Sequence, residues 1–294
     1  MEHVKKMKGY IISFSAILLL SSMLLFALFY SENVQSRNLD TANIKKYSKL
    51  EFIKDDLGFD ANKILGTGIS VNRTGNLELT FNEIIPSDFN KMQRIVKWKE
   101  FIESSYSSIN NAEIKLGIKR MDKVIPIKFS NGLVYDYNFD AGKNSVFFYS
   151  TTGNTNISEM DLNLNVTGSS VFVSKPLLSL NPDVTVNFNY IDQNALNEKH
   201  EIRELDSSLD NTITIRFSDD LRDVIEIHLG NVNGKINAVW VWNKSLSQNK
   251  INLVFKPVMN AIDVNSSFNA FLYADLNYFQ TDLNSNDLIE LKQF

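Results

Sequence analysis

Trp240 and Trp242 are the residues whose type and spacing most directly suggest a surface built to hold something. They alternate with Val239 and Val241. In a strand that spacing puts both indoles on one face and both valines on the other. Paired indoles can stack on sugar rings, and the same pattern suits a buried strand or packing between modules. Three further groups could carry chemistry. Asp219, Asp220 and Asp223 could act as a glycosidase carboxylate cluster or as metal ligands. Their Ser- and Asp-rich surroundings read more simply as a solvated turn between strands. Asp282, Asn284, Asn286 and Asp287 alternate oxygen donors as a calcium loop does. Asp287 stands where that loop needs glycine and Gln293 where it needs a bidentate acid, so a polar turn is the simpler reading. The histidines are His3, His200 and His228, and none belongs to an H-E-x-x-H motif. Neither G-x-S-x-G nor a P-loop is present. There is no cysteine, which excludes thiolate nucleophiles, zinc–thiolate sites and disulfides. The sequence therefore assigns no catalytic residue, metal or cofactor, and the chain is expected not to be an enzyme.

The element that would position everything else lies at the N-terminus. Tyr10 to Tyr30 is uncharged over 21 residues. A bilayer core is about 30 Å thick and takes about 20 apolar residues of helix to cross. Ser13, Ser15, Ser21 and Ser22 are the polar side chains inside, and their hydroxyls can bond back to helix carbonyls. Tyr10 and Tyr30 bracket the span as interfacial rings do. Lys5, Lys6 and Lys8 precede it, so the positive-inside rule puts the N-terminus in the cytoplasm and residues 31–294 outside. A cleaved secretory signal usually has a shorter apolar run and a small-x-small site, which Phe29-Tyr30-Ser31 does not offer. Ser31 to Leu57 is charged but keeps apolar residues near helical spacing, which extends the helix to Leu57, before Gly58.

Lys5, Lys6, Lys8 and Gly9, followed by a long apolar helix that turns amphipathic, resemble the class III leader and N-terminal helix of archaeal type IV pilin-like membrane proteins. The resemblance covers about 50 residues. It implies cleavage between Gly9 and Tyr10, and assembly with copies of itself or with other pilin-like subunits. Two positions depart from the pattern. Phe14 stands where bacterial pilins carry Glu, and Tyr10 where many archaeal ones begin with Gln.

Without residues 1–9 the chain holds 27 basic and 33 acidic residues, a net charge of −6. That gives no electrostatic footprint for nucleic acid. The lipid bilayer is the one partner that composition implies. Five N-x-Ser/Thr sequons, at Asn72, Asn156, Asn165, Asn243 and Asn265, are candidate glycosylation sites on an exterior domain.

Beyond Gly58, Ile69 to Val71 and Leu77 to Phe81 read as a strand pair, and Pro86 onward as a helix of about 20 residues. Its apolar stripe is Phe89, Met92, Ile95, Val96, Phe101, Ile102 and Ile109. From Ala112 the period becomes two. Thr151 to Glu159 reads as a linker, Asn194 to Leu209 as one possible helix, and Asn231-Val-Asn-Gly234 as a hairpin turn. The fold class expected is α+β: a transmembrane and amphipathic helix, then a β-rich head ending in an antiparallel β-sandwich. The expected divisions are 1–9 (cytoplasmic leader), 10–57 (helix), 58–150 (small α+β module) and 151–294 (β-sandwich). The function expected is a pilin-like or surface-anchored structural or adhesion protein of the cell envelope. The alternatives are a membrane-anchored carbohydrate-binding receptor using the Trp240/Trp242 face and, behind it, a membrane-anchored hydrolase.

Overall fold

The computed structural model describes residues 2–66, 68–72, 77–86, 91–117, 124–138, 144–151, 156–174, 181–195, 197–247, 249–260, 270–280 and 283–291, some of them without their side chains. The chain is α+β, a long N-terminal helix followed by a β-rich region of two largely antiparallel sheets. It divides into two compact units, Met1–Ile53 and Lys54–Phe294.

Helix α1 runs Glu2–Leu65. It contains a stretch of mean hydropathy 1.7, none of it buried, which is long and apolar enough to span a membrane. Ser21 and Ser22 donate to the carbonyls of Leu18 and Leu19 at 3.0 and 2.8 Å, so their hydroxyls are satisfied within the helix. The expected stop at Gly58 is passed, because a helix tolerates an isolated glycine at a cost of about 1 kcal/mol. The stop is Gly66, whose φ of 59° is the left-handed conformation of a helix C-cap and whose N–H bonds the carbonyl of Asn62.

In the second unit, strands β1 (Gly68–Asn72) and β2 (Leu77–Ile85) form the expected antiparallel pair. Helix α2 (Lys91–Phe101) continues through a π-helical turn, Ile102–Tyr106, into a last turn at Ser107–Ile109. Its buried side is Lys91, Ile95, Trp98, Ile102 and Ser107, whereas Val96, Phe101 and Ile109 of the expected stripe are exposed. The widened turn makes the last step, from 102 to 107, five residues long, and so keeps one face inward. There the Ser107 hydroxyl accepts from the Ile114 N–H at 3.0 Å and places strand β3 (Glu113–Gly117).

The remaining strands are β4 (Val124–Phe129), β5 (Leu133–Asn138), β6 (Asn144–Ser150), β7 (Asn156–Val166), β8 (Phe172–Val173), β9 (Val184–Ile191), β10 (Glu198–Leu205), β11 (Asp210–Arg216), β12 (Val224–Val232), β13 (Lys235–Asn243), β14 (Ile251–Asn260), β15 (Ala270–Gln280) and β16 (Leu283–Leu291). One sheet has the order β1-β2-β14-β7-β9-β10. The other has the order β16-β15-β4-β5-β6-β13-β12-β11-β8, with β3 also paired to β15. Among the described residues only β7 and β9 pair in parallel.

The boundary expected at 151–159 does not divide the molecule. Strand β2 pairs with β14 and β6 with β13, so each sheet draws strands from both sides of it. Asn156 to Glu159, read as linker, already belongs to β7, and the charged stretch read as a possible helix contains β10. Strand β10 carries charge on both faces, which hides the alternation that usually marks a strand. Between the sheets Phe81 of β2 stacks on Tyr135 of β5, with ring centroids 4.9 Å apart. Phe148 of β6 meets Phe81 and Phe255 edge-on at 5.2 and 5.1 Å. Beside this cluster the buried Glu83 carboxylate takes Lys91 Nζ at 2.7 Å and the Tyr135 hydroxyl at 2.9 Å.

Candidate functional site: an aromatic face on the larger sheet

Strand β13 returns from β12 through Asn233 and Gly234, whose positive φ of 52° and 74° suit a tight hairpin turn. Registration then follows strand by strand. Trp240 lies opposite His228 of β12 and Phe147 of β6, and Trp242 opposite Glu226 and Ser145. Val239 and Val241 point into the core, 3% and 1% exposed, and the tryptophans occupy the other face, half-buried.

The two indoles stack at 4.7 Å and 18°. His228 stacks on Trp240 at 5.3 Å, and Lys244 Nζ stands 3.6 Å from the centre of the Trp242 ring. Glu226 links the two ends by bonding Lys244 and facing His228 Nε2 at 3.5 Å. Asp210 holds the other imidazole nitrogen at 3.0 Å. Imidazole, two indoles and ammonium thus form one column, with the carboxylate of Glu226 clamping its ends. Each indole therefore has two neighbours in the column, His228 and Trp242 for Trp240, and Trp240 and Lys244 for Trp242.

The aromatic face continues across β6. Phe147 lies 6.1 Å from Trp240 and 4.7 Å from Tyr149. The Tyr149 hydroxyl donates to Asp136 Oδ2 at 3.1 Å. Burial pushes the Asp136 carboxyl up to about 6, against the pull of that hydrogen bond and of Lys128 and Lys235. Burial and the neighbouring Asp136 push Tyr149 up to about 12. Asp136 Oδ1 and Trp242 Nε1 are buried without a hydrogen-bond partner among the described residues.

The acidic candidates have structural partners. Asp220 receives Arg222 Nε and Nη2 at 3.1 and 2.8 Å, which with the Arg222 N–H holds its carboxyl down at about 2. Asp223 is buried and accepts from the Leu246 N–H at 2.8 Å and from Ser247 Oγ, stapling the turn after β13. Asp219 is exposed. Asn284, Asn286 and Asp287 do not form a calcium loop. They lie in β16, which is laddered to β15, and Asp287 pairs with Lys54 at 2.7 Å. Asp282 lies outside the described residues. Among the described residues no cluster of three His, Asp or Glu side chains could hold a metal ion.

Of the sequons, Asn165 is exposed on β7. Asn243 is buried, and its Nδ2 donates to the carbonyls of Asn249 and Ile85 at 2.7 and 3.2 Å. Asn265 and the side chains of Asn72 and Asn156 lie outside the described residues, as do the side chains around Gly9 and Tyr10 within α1. His200 lies on β10 against Asn189. His228, Glu226 and Phe147 escape a reading by spacing, because only strand register brings them to the tryptophans, whereas Lys244 continues the two-residue spacing of Trp240 and Trp242. No protein family, curated protein or solved structure matches the chain.

Proposed function

We propose that this chain is a membrane-anchored structural or adhesion protein of the cell envelope, non-catalytic, with its β-rich head outside the bilayer and packed as a sandwich. The observation that carries this reading is the apolar stretch of α1, on which Phe26, Phe29 and Tyr30 are 70%, 67% and 64% exposed. Apolar surface on that scale is stable only against lipid or against other apolar helices. Copies of itself or other pilin-like subunits would meet along Tyr10 to Tyr30. Partners that satisfy Asp220, Asp223 and Asp287 support a non-catalytic head. The contacts of Trp240 and Trp242 with each other, with His228 and with Lys244 favour a packing role for them over a sugar platform.

The test is membrane fractionation of the full chain with the mature N-terminus read by mass spectrometry. Retention in the membrane after alkaline extraction, with the head digested by protease added to intact cells, supports the reading. A start at Tyr10 adds pilin-type processing, and a retained Met1 removes it. A chain that is freely soluble without detergent overturns the whole proposal.

A further inference from the structure

The six-stranded sheet ends on β10 among the described residues. One edge of β10 is laddered to β9 from Glu198↔Ile191 to Leu205↔Val184. The other edge can present backbone donors and acceptors to a further strand. Proteins usually guard such edges with proline, with lysine or with charge turned against pairing. Strand β10 has no proline, its charges alternate in sign, and Ile202 at its centre is 63% exposed.

The order of those charges from His200 to Glu204 is self-complementary about Ile202, and beyond it Lys199 would face Leu205 and Glu198 would face Asp206. We infer that β10 pairs antiparallel with β10 of a second copy of this chain, about a two-fold axis at Ile202. In that register Ile202 faces Ile202 of the second copy, and on the same face His200 meets Glu204. On the opposite face Glu201 meets Arg203. Arg203 already binds Glu201 of its own strand through Nε and Nη2 at 3.1 and 2.9 Å. The two-fold therefore closes a ring of four alternating charges. Neighbouring registers lose this match. An axis at Glu201 sets Lys199 against Arg203 and Glu198 against Glu204, and an axis at Arg203 sets Ile202 against Glu204. The smaller sheet then runs through both copies. This inference needs only the head and stands or falls apart from the anchor.

The absence of cysteine makes the test specific. Directly opposed residues in an antiparallel pair have Cα atoms about 4.5–5.5 Å apart, within disulfide range. Single variants Ile202→Cys, His200→Cys and Leu221→Cys are made in the full chain, held in detergent and oxidised. Leu221 is 72% exposed and lies in the turn after β11, so it reports random collision, including collision driven by α1. Ile202→Cys is expected to give about tenfold more disulfide-linked dimer than either control. His200→Cys together with Glu204→Cys should restore cross-linking. Adding Arg203→Glu to Ile202→Cys should weaken it, and adding the swap Glu201→Arg with Arg203→Glu should recover it. Equal yields at 202 and 221, or no dimer at 202, overturn the inference and leave β10 as a charge-guarded edge.

Discussion

Lys91 Nζ sits 2.7 and 2.8 Å from the two carboxylate oxygens of Glu83, with both side chains sealed from water. Desolvation lowers the lysine's affinity for its proton, and the glutamate beside it opposes that effect. Removing one partner strands a buried charge. Lys91→Met is expected to cost about 3–5 kcal/mol, read by denaturant unfolding of the full chain. Glu83→Leu combined with Lys91→Met and Tyr135→Phe, which removes the carboxylate, the ammonium and the hydroxyl together, should cost less than the single change.

The indole column makes an optical prediction. Two indoles stacked at 4.7 Å couple their transitions. Circular dichroism should show an exciton couplet that disappears in Trp240→Phe and in Trp242→Phe and survives in Trp98→Phe. Each of the first two changes should also cost about 0.5–1.5 kcal/mol of stability. An unchanged couplet in Trp242→Phe would show that the column does not form.

Asp136 predicts a pH dependence. Its folded-state carboxyl is raised to about 6, whereas an unfolded aspartate titrates near its ordinary value of 3.8. The folded chain therefore holds the proton more tightly. The stabilisation is fully present below the unfolded value and is lost as pH rises through about 6. Stability should fall by up to about 3 kcal/mol between pH 4 and 7, and Asp136→Asn should flatten that slope. Asp220, held at about 2, changes charge below this window and does not contribute to it. A slope unchanged in Asp136→Asn would remove the assignment.

Asn243 is expected to carry no glycan, because its amide nitrogen is committed to two carbonyls. Asn243→Ala should cost about 1–3 kcal/mol through the acceptors it strands. Asn165→Gln, on an exposed position of β7, should be neutral within about 0.5 kcal/mol. Peptide mapping for glycans, with thermal unfolding of both variants, checks these outcomes.

Local signals in the chain carried the parts of the fold that local physics controls. The uncharged run reads as a spanning helix, and Asn233-Gly234 reads as a hairpin, because hydropathy and positive φ act within a few residues. The opposed faces of Val239/Val241 and Trp240/Trp242 follow from the two-residue period of a strand. Pairings set by distant partners were not legible. Nothing local in Leu77–Ile85 shows that it will lie beside Ile251–Asn260, so two successive modules were expected where the strands interleave. The same limit applies to the aromatic face. Its tryptophans stood out, and Lys244 follows them at the same spacing, but His228 and Glu226 joined them only through register.

That interleaving has a consequence for biogenesis. Strand β14 lies between β2 and β7, so the β1–β2 hairpin has no route into the rest of its sheet until almost the whole polypeptide has been synthesised. Neighbouring hairpins such as β4–β5–β6 and β11–β12–β13 can pair as they are made, but the smaller sheet joins up only when β14 is complete. Termination before Ile251 would leave the smaller sheet unfinished, a ready substrate for quality-control proteases rather than a shorter working protein.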